Sequence, residues 1–374
     1  MQLGGEANIV ELESEAEVED FFNNIDEYNV EHNLHVSSDL SNVRIIGGGS
    51  NVLVGDDVKD IVFVKLMQPQ YNPLSPTDSS PKGASNSDAF VSKAPLGELR
   101  EAVRGSHEWP IFGIWAGTSW DDFVVETVEE GYKDLAYLSL IPGTVGAAPV
   151  QNIGAYGAEV KDTITEVRGY DFVEKKWKTY TNSECDFSYR HSRFQKEKSF
   201  LITRVVFALG SPRGAPRSGE GVIYPSLRNL ITENSTTQEI RDAVISVRDS
   251  KLPRAPGSPR GAGGELIAPS VGSFFHNPIV RNDIAEKLKN EHSDMPLYEY
   301  NTTHKKLSAG WLIEHSNCAS IQDDTFHFYK NNHLVITHRG GATLNNLLSF
   351  AEKIKDKVKE KFGVELHIEP EIIQ

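Results

Sequence analysis

The stretch from Leu140 to Gly157, LIPGTVGAAPVQNIGAYG, holds four glycines and three alanines among its eighteen residues and no charged side chain. Ordinary loops are polar, because they run over the surface and must solvate their own backbone. Glycine has no Cβ, so main-chain N–H groups can approach a ligand closely, and successive exposed N–H groups bind anions such as a diphosphate. We interpret this stretch, the central loop, as backbone that binds a ligand. A packing segment where two elements meet explains its composition equally well.

A second stretch of the same kind lies near the start of the chain. Arg44 to Val54 reads RIIGGGSNVLV, which predicts a strand, a glycine turn and a second strand. We call residues 47–51 the first glycine loop. Two such loops at strand ends favour one extended, phosphate-bearing cofactor over simple packing. No G-x-G-x-x-G that opens a helix and no G-x-x-x-x-G-K-[ST] occurs, which disfavours ordinary Rossmann and P-loop sites.

The composition excludes several classes of partner. The formal charge of −15 disfavours nucleic-acid binding, which needs a basic surface. No apolar run is long enough to span a bilayer, and the residues from Met1 to Ala7 lack a basic and apolar signal region. Two cysteines are too few for a disulfide framework and are typical of a reducing compartment. We expect a cytoplasmic monomer without an inserted membrane segment, in which local cations and N–H groups hold the anionic ligands.

Hydrophobic periodicity and capping residues predict the helices. Ser14 and Glu17 have the form of a capping box that starts a helix through Ile25. Further helices are predicted at Lys305–His315 and Leu344–Phe362, and the apolar residues of the second share one face, as in an ordinary amphipathic core helix.

Several motifs together span nearly the whole chain. They are GGGSNVLV (47–54), IPGTVGAAPVQNIGAYG (141–157), CDFSYRHSRF (185–194), GSFFHNP (272–278), AGWLIE (309–314) and FGVELHIEPE (362–371). In this order they resemble the motifs of the UDP-N-acetylenolpyruvoylglucosamine reductase (MurB) family. Any single motif would be weak evidence, whereas the full set is specific.

The resemblance implies an α+β fold. Two domains would form an FAD-binding cradle of the PCMH or vanillyl-alcohol-oxidase type, and a C-terminal α+β domain would bind the substrate. The implied domains are 1–66, 67–252 and 253–374. Three polar or Gly/Pro-rich segments are interpreted as insertions, at about 68–88, 210–221 and 256–269.

In the family, NADPH reduces bound FAD, and the flavin then reduces an enolpyruvyl ether to a lactyl ether in peptidoglycan precursor synthesis. The resemblance therefore implies FAD and NADPH as cofactors and UDP-N-acetylglucosamine enolpyruvate as a small-molecule substrate, with NADPH and substrate using one pocket in turn. The implied FAD-binding residues are Gly47, Gly48, Gly49, Ser50, Asn51, Gly143, Gly146, Gln151, Asn152, Gly154 and Gly157.

The implied reaction needs a cation, a hydrogen-bond donor and a proton, because hydride addition to the alkene builds negative charge on the adjacent carbon and its carboxylate. The resemblance assigns the cation to Arg190, whose fork can grip a carboxylate with two hydrogen bonds. It assigns the proton to Ser273. The residues alone favour plainer roles, an arginine paired with a neighbouring acid and a turn hydroxyl.

Glu371 matches the family's C-terminal catalytic glutamate, which can donate to the enolate oxygen if it stays protonated. This sequence departs from the family pattern, since His367 and Ile368 are inserted just before it. Glu369 is therefore the alternative catalytic carboxyl. An exposed carboxylate near the chain end is the plain alternative for both.

The resemblance also implies three substrate-binding residues, Tyr224, Lys251 and Asn277. His276 stands where the family often has lysine, so the local charge differs. The chain reaches its Gly4-Gly5 pair without the short Asn/Thr-containing segment that precedes such a pair in the family. We therefore expect FAD affinity to be the property most at risk.

No metal site is expected, because metal sites use three or four ligands and the chain's His/Cys pairs lack further ligands at metal spacing. Two rival functions stay open. One is another FAD-linked oxidoreductase on the same scaffold, such as an alcohol oxidase. The other is a non-enzymatic nucleotide-binding protein with a degenerate site.

Overall fold

The computed structural model describes residues 7–68, 111–210, 224–253 and 270–374, apart from 322, 331 and 339. The predicted insertions lie outside the described residues except for Gln68 and Gly210, and so do the residues before Ala7.

The described chain forms two compact units. The larger unit comprises Ala7–Gly49 and Asp60–Val247, and the smaller unit comprises Ser50–Lys59 and Arg248–Gln374. The division into domains 1–66, 67–252 and 253–374 stays a prediction.

The described helices are α1 (Glu15–Asn23), α2 (Ile25–Glu31), α3 (Trp120–Glu129), α4 (Thr237–Lys251), α5 (Asn282–Glu291), α6 (Ala309–His315) and α7 (Leu344–Phe362). The described strands are β1 (Asn8–Leu12), β2 (Val43–Ile46), β3 (Val52–Val54), β4 (Val62–Leu66), β5 (Ile111–Trp115), β6 (Gly154–Ala155), β7 (Ala158–Glu159), β8 (Ile164–Asp171), β9 (Lys176–Thr181), β10 (Phe200–Ala208), β11 (Ile279–Arg281), β12 (Leu297–Glu299), β13 (His304–Leu307), β14 (Phe326–Tyr329), β15 (Asn332–His338) and β16 (Glu371–Ile373). Their mixture confirms the predicted α+β class.

The larger unit begins with a parallel sheet in the order β1-β4-β2. The predicted cap of α1 is confirmed, because the Ser14 hydroxyl accepts a hydrogen bond from the Glu17 N–H at 3.2 Å. The prediction of one helix through Ile25 is wrong. Both the main-chain N–H and the side-chain amide of Asn24 bond to Asp20, which closes α1 at Asn23, and α2 follows as a separate helix.

An antiparallel sheet in the order β5-β10-β8-β9 forms the rest of the larger unit's framework. Its strand β10 is rich in β-branched and aromatic residues, which suit a buried central strand. Phe207 of β10 packs against Phe123 of α3, with ring centroids 5.0 Å apart. Both rings belong to one apolar core that extends through the larger unit.

The smaller unit packs around α7, whose predicted bounds are confirmed. The predicted helix at Lys305–His315 is only half right. Residues of β13 pair with both β11 and β12 as the middle strand, so tertiary pairing decides their conformation. The helix α6 begins only at Ala309, where the Ser308 hydroxyl accepts from the Trp311 N–H at 3.3 Å.

The helices of the described segments include none that combines the length and apolar character needed to cross a membrane.

Both cysteines are buried free thiols. Burial raises the pKa of Cys185 to about 12 and raises the pKa of Cys318 as well. Because the thiolate is the nucleophile, we expect both to react with a thiol reagent at least ~10-fold more slowly in the native protein than after unfolding. Rapid labelling of either cysteine at neutral pH, read by mass spectrometry of peptides, would contradict this placement.

Candidate active site

The two glycine loops touch each other within the larger unit. A Cβ built on Gly48 would lie 2.9 Å from the Gly143 Cα, and one on Gly47 would lie 2.9 Å from the Ala147 Cβ. Gly146 packs in the same way, since its Cβ would lie 2.5 Å from that of Ala116. The packing alternative therefore accounts for these three glycines, which permit backbone segments to approach closely.

The central loop uses many of its own N–H groups. It runs beside residues 116–120, and the Gly146 N–H donates to the Ala116 carbonyl at 2.9 Å. Further N–H groups that donate to main-chain carbonyls are those of Val145, Ala147, Ala148, Val150, Asn152 and Ile153. These groups are not available to a diphosphate. Any cofactor contact of Gly146 or Asn152 would use other atoms and stays a prediction.

Other N–H groups are left where the two loops meet. Within the described ranges, no hydrogen bond involves the N–H groups of Gly47, Gly48, Gly49, Gly143 or Thr144. Gly49 and Gly143 have φ of +67° and +125°, conformations that other residues rarely adopt. Successive main-chain donors in such turns form a concavity that favours an anion. The larger unit thus has a candidate phosphate site at the contact of the loops.

Arg190 lies against the far end of the central loop. Its guanidinium donates to the Gly154 carbonyl at 2.6 Å and lies 5.3 Å from the centre of the Tyr189 ring. Its φ is +53°, an uncommon value for a residue with a side chain. Ser188 and His191 bond each other in both directions, at 3.0 and 3.1 Å, and so close a tight turn with Arg190 near its tip.

The rest of the CDFSYRHSRF motif anchors this turn. The Ser192 hydroxyl, which is fully buried, donates to the Val150 carbonyl of the central loop at 2.6 Å. The His191 Nδ1 lies 2.8 Å from the Gln195 side-chain oxygen. Phe194 is buried and stacks on Phe200. The sequence analysis did not identify Ser192 as a residue that holds the turn. Its position two residues after Arg190 could have indicated this role.

Tyr224 also meets the central loop. Its ring packs edge-on against Tyr156, with centroids 5.7 Å apart. Lys251 is the last residue of α4 and is exposed. Tyr224 therefore joins the glycine loops and Arg190 in the larger unit, whereas Lys251 belongs to the smaller unit.

Ser273 lies in the smaller unit, on a segment fixed by its neighbours. It pairs with Val335 of β15 in an isolated antiparallel bridge, and the Phe274 N–H donates to the Leu334 carbonyl at 2.8 Å. Phe274 and Phe275 are fully buried. The two aromatic side chains anchor the segment in the core, so the partly buried Ser273 is held in a defined position.

Both candidate carboxyls lie on the chain's last segment. The Glu369 N–H donates to the Phe274 carbonyl at 2.9 Å, next to Ser273, and the Glu369 carboxylate lies 3.9 Å from the His276 Nδ1. The Glu371 N–H donates to the Asn51 carbonyl at 3.1 Å, because β16 pairs in parallel with β3. Both residues are partly buried, so the interpretation of either as an exposed carboxylate is wrong.

Asn277 caps a helix. Its side-chain oxygen accepts from the Ala309 N–H at 2.9 Å, at the first residue of α6. This bond connects the GSFFHNP and AGWLIE motifs physically. A substrate contact by the remaining amide N–H groups of Asn277 stays a prediction.

The structure thus forms two groups of predicted residues, one in each unit. The larger unit holds Gly47–Gly49, the central loop, Arg190 and Tyr224, and the smaller unit holds Ser50, Asn51, Lys251, Ser273, Asn277, Glu369 and Glu371. Among the residues that the structure describes, no three His, Cys, Asp or Glu side chains are grouped to hold a metal ion.

Known proteins resemble this chain in sequence and in fold. Residues 264–373 match the family model described as UDP-N-acetylenolpyruvoylglucosamine reductase, C-terminal domain. The reductase of that name from Bdellovibrio bacteriovorus is 34% identical over 344 residues, which cover 90% of this chain and 89% of the relative. The reductase from Neisseria gonorrhoeae is 36% identical, and the match covers 89% of this chain and 85% of the Neisseria chain.

The crystal structure of the reductase from Thermus caldophilus aligns with this chain with a TM-score of 0.58. The alignment covers 100% of this chain and 94% of the Thermus chain. Its identity of 18% makes it a likeness of fold alone, and it agrees with the predicted fold class. Both sequence relatives are more than 30% identical to this chain and match most of its length and most of their own. The chain therefore belongs to the UDP-N-acetylenolpyruvoylglucosamine reductase family.

Proposed function

We propose that this chain is a cytoplasmic, FAD-containing and NADPH-dependent oxidoreductase. It reduces UDP-N-acetylglucosamine enolpyruvate to UDP-N-acetylmuramate, a peptidoglycan precursor. The observation that carries the proposal is the contact of the two glycine loops, at Gly48 and Gly143, in a chain of this family. That contact groups main-chain donors at a place where a Cβ would intrude.

The residues at this contact fit the diphosphate of FAD. Five main-chain N–H groups at this contact have no hydrogen-bond acceptor among the described residues. They belong to Gly47, Gly48, Gly49, Gly143 and Thr144. The charge on the whole protein is −15, so an anionic cofactor needs local donors of this kind. We propose that these five groups hold the diphosphate, with Ser50 and Asn51 beside them in the sequence.

When bound, FAD supplies the redox chemistry, namely hydride uptake from NADPH and hydride delivery to the terminal alkene carbon. Arg190 holds the carboxylate of the enolpyruvyl group and stabilises the charge that grows there. The Gly154 carbonyl and the Tyr189 ring restrict the guanidinium before substrate arrives. Such preorganisation lowers the cost of orienting a charged group during the reaction.

Ser273 gives its hydroxyl proton to the carbon next to the substrate carboxylate. A free serine is a weak acid, so the site must stabilise the developing alkoxide or return a proton through a relay. The main-chain bonds of Phe274 to Leu334 and Glu369 fix the position of the serine's neighbour on both sides.

Glu371 donates a hydrogen bond to the enolate oxygen in its protonated form. The parallel pairing of β16 with β3 places its main chain beside Asn51 of the first glycine loop. Glu369 is engaged differently, since its carboxylate faces His276. We therefore favour Glu371 over Glu369. Tyr224, Lys251 and Asn277 are the proposed contacts to the nucleotide and its diphosphate.

The proposal is tested by NADPH oxidation in the presence and absence of the enolpyruvyl nucleotide. We expect yellow protein, oxidation that depends on the nucleotide, and UDP-N-acetylmuramate as the product identified by mass spectrometry. NADPH oxidation that does not depend on the enolpyruvyl nucleotide but increases with another substrate indicates a different flavin oxidoreductase. Protein that binds nucleotide but neither retains FAD nor oxidises NADPH indicates a non-enzymatic role.

Gly48→Ala is expected to weaken FAD binding. The new methyl group would lie 2.9 Å from the Gly143 Cα, so the loops must separate. Overpacking of this kind costs about 1–3 kcal/mol, which corresponds to an FAD dissociation constant raised about 5- to 150-fold if the whole cost falls on the bound state. Titration of cofactor-free protein with FAD, followed by flavin fluorescence, measures the change.

Gly131→Ala is the matched control for Gly48→Ala. Gly131 has φ of +86° in the same unit, but nothing lies within 4 Å of its added Cβ. We expect lower stability from backbone strain and an unchanged FAD affinity. An affinity lowered equally by both substitutions would remove the loop contact from the cofactor site.

A further inference from the structure

Asn152 is the most enclosed polar residue of the central loop. Its relative exposure is 0%, and its backbone is left-handed, with φ of +44°. The side-chain amide donates to the Ser188 carbonyl at 2.8 Å and to the Glu159 carboxylate at 3.2 Å. Its oxygen accepts from the Lys161 N–H at 3.1 Å. The Lys161 ammonium also pairs with the Glu159 carboxylate.

These bonds fix the orientation of the amide and use both of its donors. A carbonyl and a carboxylate can only accept, and a main-chain N–H can only donate, so a flipped amide would face a like group at each contact. Neither N–H of Asn152 is left for a ligand. A buried, fully satisfied amide of this kind fixes the position of the segments that it joins.

The segment that Asn152 holds is the base of the turn that carries Arg190. Ser188 is the first residue of that turn, and His191 closes it. On the other side, the Ser192 hydroxyl bonds to the Val150 carbonyl. The Arg190 guanidinium reaches the Gly154 carbonyl, two residues beyond Asn152. The central loop therefore holds the turn at both ends of its base and at its charged tip.

We infer that Asn152 is the positioning residue of Arg190 and not a contact to the cofactor. It fixes the Ser188 carbonyl, and through it the left-handed turn that presents the guanidinium to the substrate carboxylate. The inference rests on the proposed function, because it assigns Asn152 a part in the same reaction. It replaces the FAD-binding role that the sequence resemblance implied for this side chain.

Aspartate is the most informative replacement, because it keeps the shape of asparagine and loses both donors. In Asn152→Asp the Ser188 carbonyl keeps the His191 N–H but loses its side-chain donor, and two carboxylates face each other at Glu159. We expect kcat for the nucleotide-dependent reaction to fall at least ~10-fold, the scale of a misplaced catalytic group. FAD content of the purified protein, read from visible absorbance, is expected to stay within about twofold, since no donor to the cofactor is lost.

A double-mutant cycle distinguishes positioning from a general structural effect. Arg190→Lys alone is expected to lower kcat about 100-fold, because lysine lacks the planar fork. If Asn152 acts only through Arg190, the kcat of the double variant Asn152→Asp/Arg190→Lys lies within about twofold of that of Arg190→Lys. Additive losses, or a kcat of Asn152→Asp equal to that of the wild type, would overturn the inference.

Asn182→Asp is the matched control. Its amide also donates twice, to the Lys161 and Ile164 carbonyls at 2.8 Å each, and both acceptors lie outside the Arg190 turn. We expect a lower melting temperature and an unchanged kcat. If Asn152→Asp does not fold, Asn152→Ser takes its place in the same cycle, and additivity there overturns the inference equally. A wild-type protein without nucleotide-dependent activity would instead remove the proposed function itself.

Discussion

Ser273→Ala is expected to leave reduction of the bound flavin by NADPH unchanged and to slow reoxidation of that flavin by the enolpyruvyl nucleotide at least ~100-fold. The two half-reactions differ in their need for a proton at carbon, and only the second uses the serine hydroxyl. Alanine keeps the size of the segment, and the anchors Phe274 and Phe275 remain buried. Anaerobic mixing experiments that follow flavin absorbance measure each half-reaction separately.

Ser270→Ala is the control for this prediction. Ser270 is a nearby serine whose hydroxyl accepts from the Gly272 N–H at 3.3 Å, and it has no proposed chemical role. We expect both half-reactions of this variant to stay near the wild-type rates. Equal losses in the two half-reactions of Ser273→Ala would show that the substitution disturbs the site and would count against a proton donor.

Glu371→Gln is expected to slow the substrate half-reaction about 100-fold or more, because glutamine is a weaker donor to a developing enolate. The same change at Glu369 is expected to cost less than about 10-fold, since it alters only a partly exposed contact of 3.9 Å with the His276 Nδ1. The two residues lie on one short segment, so each variant controls for the other's effect on folding.

The reverse order of effects in these two variants would assign the catalytic carboxyl to Glu369. That residue has the closer main-chain contact with the GSFFHNP segment, through the Phe274 carbonyl. Small effects in both variants would remove the acid from the mechanism. The substrate half-reaction, measured over a range of nucleotide concentrations, distinguishes a slower chemical step from a change in nucleotide binding.

The sequence predicts much of the fold because its local signals agree with its tertiary structure. The cap at Ser14 and the bounds of α7 follow from side-chain bonding and from a single apolar face. Residues 305–307 do not follow, because their pairing with two strands outweighs the local helical pattern. The one-residue break at Asn24 likewise depends on bonds to Asp20 that periodicity does not reveal.

The sequence predicts which residues form the candidate site better than it predicts the role of each one. Glycine composition identifies both loops, but it does not distinguish close packing at Gly146 from the donors near Gly143, since each depends on a neighbour distant in sequence. The motif around Arg190 identifies the arginine. The bonds of Asn152 and Ser192 that hold its turn appear only in the folded chain.

Anaerobic stopped-flow of the wild-type protein tests the central claim most directly. The flavin absorbance should fall on mixing with NADPH and return on mixing with UDP-N-acetylglucosamine enolpyruvate, in two separable phases. A colourless protein that takes up no added FAD, or a reduced flavin that the enolpyruvyl nucleotide does not reoxidise, would contradict the proposed enzyme.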